Sequence, residues 1–375
     1  TLAIVRLLPV LTQRPSLTGS GITLEAMVRR AAAVGHDQRV VVGVPSDEPR
    51  PEVGGLAPDL IHPLLFGRHP LDFAVPGMSD VMPYPSTRFS DMGGDRIRRY
   101  EQAWIDHLEP IISSFEPQIV QTHHVWLMSG LIKDAAPGIP VVTQCHATGL
   151  RQMDLCPDLA DGVLRGCARN DAFLVLHHGH ATALRDRLGI ETGRIHAVGA
   201  GYRDDLFHTR GRVRDVEPAL LYVGKYSPAK GVPSLLDAFE RLTAGRPGLI
   251  LHVAGGGAGP EAETIRARMD RMAPAVVQHG LVGQAELADI ARRATVCVLP
   301  SFFEGLPLAL VEALACGCRL VATDLTGIRT ELAPRLGDEL ITVEMPPLES
   351  VDRPRAADLP AFADRLQEAI ESALD

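Results

Sequence analysis

No apolar run in this 375-residue chain approaches the roughly 18 residues that a membrane-spanning helix requires, so a helical span is excluded. Positive charge is also in deficit. With 37 Lys and Arg against 46 Asp and Glu, the formal charge of -9 argues against a nucleic-acid partner, which would need a basic face. A basic amphipathic helix of the kind that lies on a membrane surface is missing as well. Cysteine is sparse: Cys145, Cys156, Cys167, Cys297, Cys316 and Cys318 form no C-x2-C pair, although the first three recur every eleven residues. A chain this long buries enough core to need no staples, so the expectation is free, buried thiols in a reducing cytoplasm. The opening residues lead straight into an apolar stretch, with no signal-peptide pattern; a leader already trimmed is the alternative. Length predicts two or three domains.

What the chain does have is concentrated at 294–324, A-T-V-C-V-L-P-S-F-F-E-G-L-P-L-A-L-V-E-A-L-A-C-G-C-R-L-V-A-T-D. Residues 295–299 are a β-branched apolar run of buried-strand type, 300–307 a loop, 308–315 a helix stopped by Gly317, and 319–323 the next strand. Glu304 falls in the loop and Glu312 on the helix. A carboxylate beyond the carboxyl end of a parallel strand sits where open α/β sheets bind ligands. Ionised carboxylates accept two hydroxyl hydrogens from a ribose diol or a sugar ring, and the neighbouring helix start offers N–H groups to an anion. Diols plus phosphate describe a nucleotide-sugar.

The rest of the chain reads as strand, loop, helix, strand, repeated. Residues 2–11 predict a first strand, 12–21 a loop dense in turn formers, 22–34 a helix ended by Gly35, and 39–44 a second strand. In that loop Gly19 and Gly21 permit close backbone approach to a ligand, with the helix N-terminus beyond them able to meet phosphate; a plain turn is the alternative. Residues 45–94 are irregular and proline-rich, a functional loop region more than a linker, with Tyr84, Arg88 and Asp91 as acceptor-contact candidates that read individually as surface. A helix at 95–115 precedes strands at 117–122 and 140–144, whose ends carry His123, His124 and Trp126, then His146. Two histidines at consecutive strand ends suggest a site, and zinc would need a third ligand that the pattern does not supply. His177, His178 and His180 follow a strand at 172–176 without an assignable role. The charged stretch 210–217 marks a domain boundary. Beyond it, Lys225 and Lys230 flank a tight turn after the strand at 219–223, an arrangement that by itself is compatible with plain solvated surface. Further strands are predicted at 249–253 and 276–281, helices at 234–242 and 284–294, and a looser stretch after Pro334.

Glu304 and Glu312, with seven residues between them and E-A-L-A-C-G around the second, resemble the Glu-x7-Glu signature of retaining family 4 glycosyltransferases of the GT-B fold. The resemblance extends to H-H-V-W-L-M-S-G at 123–130, similar to the His-Tyr-Trp-Leu-Ser-Gly segment of sucrose-phosphate synthases and the mycothiol glycosyltransferase. It also takes in C-H-A-T-G at 145–149, G-A-G-Y-R-D-D-L-F at 199–207 as the hinge, and G-K-Y-S-P-A-K-G at 224–231, similar to the family's Val-Gly-Arg-x-x-x-x-Lys-Gly. By that likeness Glu304 contacts the donor sugar and Glu312 the ribose, and His124 and His146 are site histidines, with His123 a bystander. Lys225 and Lys230 hold the pyrophosphate, Gly19 and Gly21 lie over the diphosphate, and the backbone of Leu281 and Val282 meets the base. Gly305, Leu306, Pro307 and Leu308 complete the donor loop. Lys225 departs from the family's usual Arg and lacks its bidentate fork, so it neutralises phosphate with less control of orientation.

These readings converge on an α/β, GT-B chain of two Rossmann-like doubly wound domains facing a cleft: acceptor side at 1–205, donor side at 206–350, and a C-terminal helix at 351–375 able to pack back on the first domain. The expected activity is retaining, metal-independent transfer of a hexosyl unit from a nucleotide-sugar, UDP-sugar by family frequency, to a hydroxyl of a small polyol or aminocyclitol. No cofactor is expected and a homodimer is left open. A nucleotide-sugar 2-epimerase and a non-catalytic sugar-nucleotide-binding protein are the rival readings.

Overall fold

The computed structural model of the chain describes residues 3–15, 18–212 and 217–375. The chain divides into two compact units, Thr1–Asp80 with Pro85–Gly199, and Val81–Tyr84 with Ala200–Asp375. Residues 213–216 of the 210–217 stretch read as a boundary lie outside the described residues. Among the described residues no helix is long and apolar enough to cross a membrane.

In the first unit, β1 (Arg6–Leu11) leads into α1 (Gly19–Ala33), then β2 (Asp37–Gln38) and β3 (Val40–Pro45). Val40, Val41 and Val42 are all buried, as are Leu8, Val10 and Leu11; consecutive buried residues mark strands covered on both faces. The helix starts earlier than the sequence predicts, because Thr18 caps it: its Oγ1 accepts from the Gly21 N–H at 3.2 Å. Glycine's low helix propensity placed Gly19–Gly21 in the loop, and the cap outweighs it. The proline-rich region also hides a strand, β4 (Ile61–Phe66), paired in parallel with β3. Pro63 disguises it, yet β4 is the sheet's edge, where a missing N–H is tolerated. β5 (Pro76–Gly77) and β6 (Thr87–Arg88) then form a parallel bridge. The segment between them joins the second unit, where Val81 enters the core and Met82 O accepts from Ala258 N–H at 3.0 Å.

α2 (Gly94–Phe115) follows, then β7 (Ile119–His123), α3 (Leu127–Ala135), β8 (Val141–Cys145), α4 (Ala147–Leu155), α5 (Pro157–Cys167), β9 (Ala172–Val175), α6 (His178–Leu188) and β10 (Ile195–Ala197). The sheet order is β10-β9-β8-β7-β1-β3-β4, with β2 beside β1 and every pairing parallel. Strand order reverses between β1 and β7, which makes the carboxyl ends of those two strands the natural ligand crevice of this sheet.

The second unit repeats the plan with β11 (Ala219–Val223), α7 (Val232–Gly245), β12 (Ile250–Ala254), α8 (Pro260–Arg271), β13 (Val276–Gly280), α9 (Gln284–Ala291), β14 (Val296–Leu299), α10 (Leu308–Ala315) and β15 (Arg319–Thr323). The short α11 (Ala333–Leu336) and β16 (Leu340–Val343) follow, then a hairpin of β17 (Leu348–Ser350) and β18 (Arg353–Pro354), and last α12 (Leu359–Leu374). All pairings in the order β13-β12-β11-β14-β15-β16 are parallel, and the reversal lies between β11 and β14. Two expectations need correction. The stretch after Pro334 is not loose throughout, since β16 completes the sheet there. The apolar face of α12 is buried in the second unit's own core, where Phe362, Leu366 and Ile370 join Leu235, Phe239 and Val298; a stripe of that width finds its cover on the nearest exposed sheet face.

Candidate functional site

The carboxyl ends of β11 and β14 bring together residues that are far apart in the chain. After β11, Ser227 Oγ accepts from the Ala229 N–H at 3.2 Å, and Gly231 turns the chain with φ +66° before α7. A Cβ at Gly231 would stand 2.0 Å from Pro300 O, so only glycine lets this turn lie on the end of β14. Phe302 N–H donates to Ala229 O at 3.0 Å and ties the two loops together. Across that seam Lys230 Nζ donates to Glu304 Oε1 at 2.6 Å and to Phe303 O at 3.1 Å. The side chains of Lys230 and Glu304 are 19% and 18% exposed, enough for a ligand to reach both. Lys225 stands at the strand end, its carbonyl held by the Tyr222 hydroxyl at 2.7 Å.

Glu312 is different. It is buried in α10, and Gln284, at the start of α9, donates Nε2–H to its Oε1 at 3.3 Å. Burial pushes its carboxyl up to about 7, and the Gln284 hydrogen bond only partly opposes that. The sequence reading took both glutamates as ionised acceptors; Glu312 is only about half ionised near neutral pH in the free protein. Leu281, 52% exposed, and Val282 precede α9, so the donor-loop residues Gly305, Leu306, Pro307 and Leu308 and the base-contact candidates all belong to loops at the carboxyl edge of one sheet.

In the first unit histidines occupy three successive strand ends. His124 follows β7 with φ +69°, a left-handed conformation that costs about 1–3 kcal/mol outside glycine. Its surroundings hold it there: its N–H donates to Gln144 O at 3.0 Å, its carbonyl accepts from Ser129 Oγ at 2.6 Å, and its Nδ1 lies 3.1 Å from Thr148 Oγ1. His146 stands just before α4 and beyond β8, its ring centroid 4.7 Å from that of His124. The expected bystander His123 is instead bonded to His146, Nδ1 to Nε2 at 3.0 Å, with the rings stacked at 16°. After β9, His177 caps α6 by accepting the Gly179 N–H at 3.1 Å, and its ring lies 3.8 Å from that of buried His180. Among the described residues no three His, Cys, Asp or Glu side chains gather to hold a metal. Burial, and then the neighbouring imidazoles, lower His123 and His180 to about 3 and His146 well below its ordinary value, so these three rings are neutral at physiological pH. Gly19 and Gly21 lie in the first turn of α1, near the other strand of the same switch point, with the Gly21 N–H already bonded to the cap.

Two profiles cover most of the chain: "Glycosyl transferase 4-like domain" matches residues 18–201 and "Glycosyl transferases group 1" matches residues 217–346. The chain belongs to the group 1, family 4 type, glycosyltransferases. Among curated members of this family, the D-inositol 3-phosphate glycosyltransferase of Nocardiopsis dassonvillei is 28% identical over 273 residues, 65% of this chain and 63% of that protein. The glycogen synthase of Mycobacterium tuberculosis is 35% identical over 117 residues, 31% of this chain and 28% of that one. The chain thus spans less than two thirds of the length of these relatives. In fold it resembles the sucrose-phosphate synthase of Thermosynechococcus elongatus, with a TM-score of 0.69 at 15% identity, covering 99% of this chain and 95% of that one. The catalytic domain of starch synthase IV from Arabidopsis thaliana, bound to ADP and acarbose, gives 0.63 at 11% identity, covering 100% and 96%. The architecture is therefore GT-B.

For this family member the sequence reading passed over three residues. Gln284 opens a helix in a place where an amide draws no notice. Arg151 is a buried cation of α4, one turn beyond His146, with Nη2 3.1 Å from Asp80 Oδ2. His123 looked redundant beside His124. Only the alternation of side chains along β7 could have separated the two, and it says which face each takes, not which neighbour it meets. Of the acceptor candidates, Arg88 is exposed and Asp91 is exposed, as expected of surface residues, whereas Tyr84 is buried.

Proposed function

We propose that the chain is a retaining, metal-independent hexosyltransferase that moves a hexosyl unit from a UDP-sugar to a hydroxyl of a small polar acceptor such as a polyol or aminocyclitol. The observation that carries the reading is the Lys230–Glu304 contact at the β11/β14 switch point, 2.6 Å long and partly open to solvent. An ammonium and a carboxylate side by side suit a phosphate next to a sugar hydroxyl. In the proposed reaction the bond from the anomeric carbon to phosphate breaks and one to the acceptor oxygen forms on the same face. The acceptor proton goes to a departing phosphate oxygen. Departure adds about one negative charge to the diphosphate, and Lys225 and Lys230 are fixed cations suited to stabilise it. Glu312, once ionised, offers two lone-pair sites to the ribose diol.

The test is a screen of nucleotide-sugars against polyols and aminocyclitols, read by mass spectrometry, with the product anomer assigned by NMR. A hexosyl adduct with the donor's anomeric configuration supports the reading. An inverted anomer, an epimerised donor with no adduct, or a thermal shift without turnover overturns it.

A further inference from the structure

His123 is 1% exposed, and its Nε2 has no hydrogen-bond partner among the described residues. Its Nδ1 meets His146 Nε2 at 3.0 Å with the rings stacked. A hydrogen bond between two neutral imidazoles needs one donor and one acceptor, so the proton between them belongs to one ring only. If His146 donated, His123 would carry its own proton on Nε2, leaving a buried N–H without an acceptor, the rarest kind of orphan in folded proteins. If His123 donates, its Nε2 is a bare lone pair, which is less costly to bury. The second arrangement puts the proton of neutral His146 on Nδ1, the ring nitrogen not engaged by His123.

We propose that His123 is a positioning residue that fixes His146 as its Nδ1–H tautomer, so that His146 meets a sugar oxygen as a hydrogen-bond donor and does not serve as the base for the acceptor hydroxyl. The role in catalysis rests on the hexosyltransferase reading above; the tautomer does not. The surroundings of the pair agree with a single neutral state: burial above all, and then the neighbouring His123 and His180, disfavours a charge on His146, and His124 lies 4.7 Å from it between ring centroids. With Nδ1 already protonated, the acceptor's proton has the leaving phosphate as its destination, and the balance of the transfer step is unchanged.

The experiment uses the full chain labelled with 15N-histidine. Long-range 1H–15N spectra report which nitrogen of each ring carries the proton, and loss of a signal in His146→Gln identifies His146. Wild type is expected to hold His146 as Nδ1–H. His123→Asn, whose side-chain N–H can replace the Nδ1–H, should preserve that tautomer and the turnover. His123→Phe should return His146 to Nε2–H and lower kcat roughly 10-fold, the scale of one lost hydrogen bond to the reacting sugar, with donor KM changed less than about twofold. A wild-type His146 protonated on Nε2, or an identical tautomer in His123→Phe, overturns the proposal. If wild type transfers no sugar to any acceptor, the spectra still decide the tautomer, and only the functional reading falls.

Discussion

At the scale of single residues, Lys230 and Glu304 join the two central loops of the second sheet through a charged contact. Lys230→Ala and Glu304→Gln should each lower kcat about 100-fold or more, the scale of lost preorganised electrostatic groups, as measured by steady-state turnover on the donor found in the screen; wild-type rates in both would refute the assignment. Glu312 gives a prediction with a sign. Its carboxyl is raised from 4.5 to about 7 by burial. The protonated form therefore favours the fold, and that stabilisation is complete below about pH 4.5 and lost as pH rises through about 7. Replacing it by Gln should leave the second unit more stable than wild type at pH 8, by at most about 3 kcal/mol, with the difference vanishing at pH 4.5. Binding runs the other way. On the proposed reading, in which the ionised form holds the ribose diol, UDP should bind roughly tenfold more weakly to wild type at pH 6 than at pH 8 by calorimetry, and the slope should disappear in Glu312→Gln. The Glu pair itself was legible in the sequence, because its spacing and flanks are local. The protonation of Glu312 was not, since it depends on how deeply α10 is buried and on Gln284, which comes from another helix.

At the scale of elements, most strands and helices follow from hydrophobic period and turn residues, and α10 and β15 match their predicted bounds. The misses share a cause. β4 carries a proline that only its edge position tolerates, β16 and the start of α1 sit beside proline or glycine, and in each case a neighbour decided what the local signal could not. The turn between β11 and α7 illustrates the dependence most sharply. Gly231→Ala would bring a Cβ to 2.0 Å from Pro300 O at φ +66°, so the Ser227–Lys230 turn must shift. The expected results are a stability loss of about 1–3 kcal/mol from backbone strain and weakened UDP binding, followed by hydrogen exchange and calorimetry. Unchanged binding would mean that this turn does not touch the nucleotide.

At the scale of the whole molecule, each unit is a parallel sheet with its own core, and the C-terminal helix completes the second. Phe362 packs against Phe302 with ring centroids 5.1 Å apart, so Phe362→Ala removes a fully buried ring directly beneath the loop that carries Glu304. A loss of about 3–5 kcal/mol is expected, read as lowered hydrogen-exchange protection of β11, β14 and β15 with protection of the first unit's strands unchanged; uniform loss in both units would contradict their separate cores. By itself the sequence determined the fold class, the repeated strand and helix order, and the identity of the acidic and basic loop residues, because these are written in short-range period, caps and motif spacing. Only the tertiary structure decided that residues 81–84 belong with the second unit, that α12 covers that unit's own sheet, and that His123 engages His146. Those outcomes depend on which surfaces meet at long sequence separation, and no local pattern encodes that.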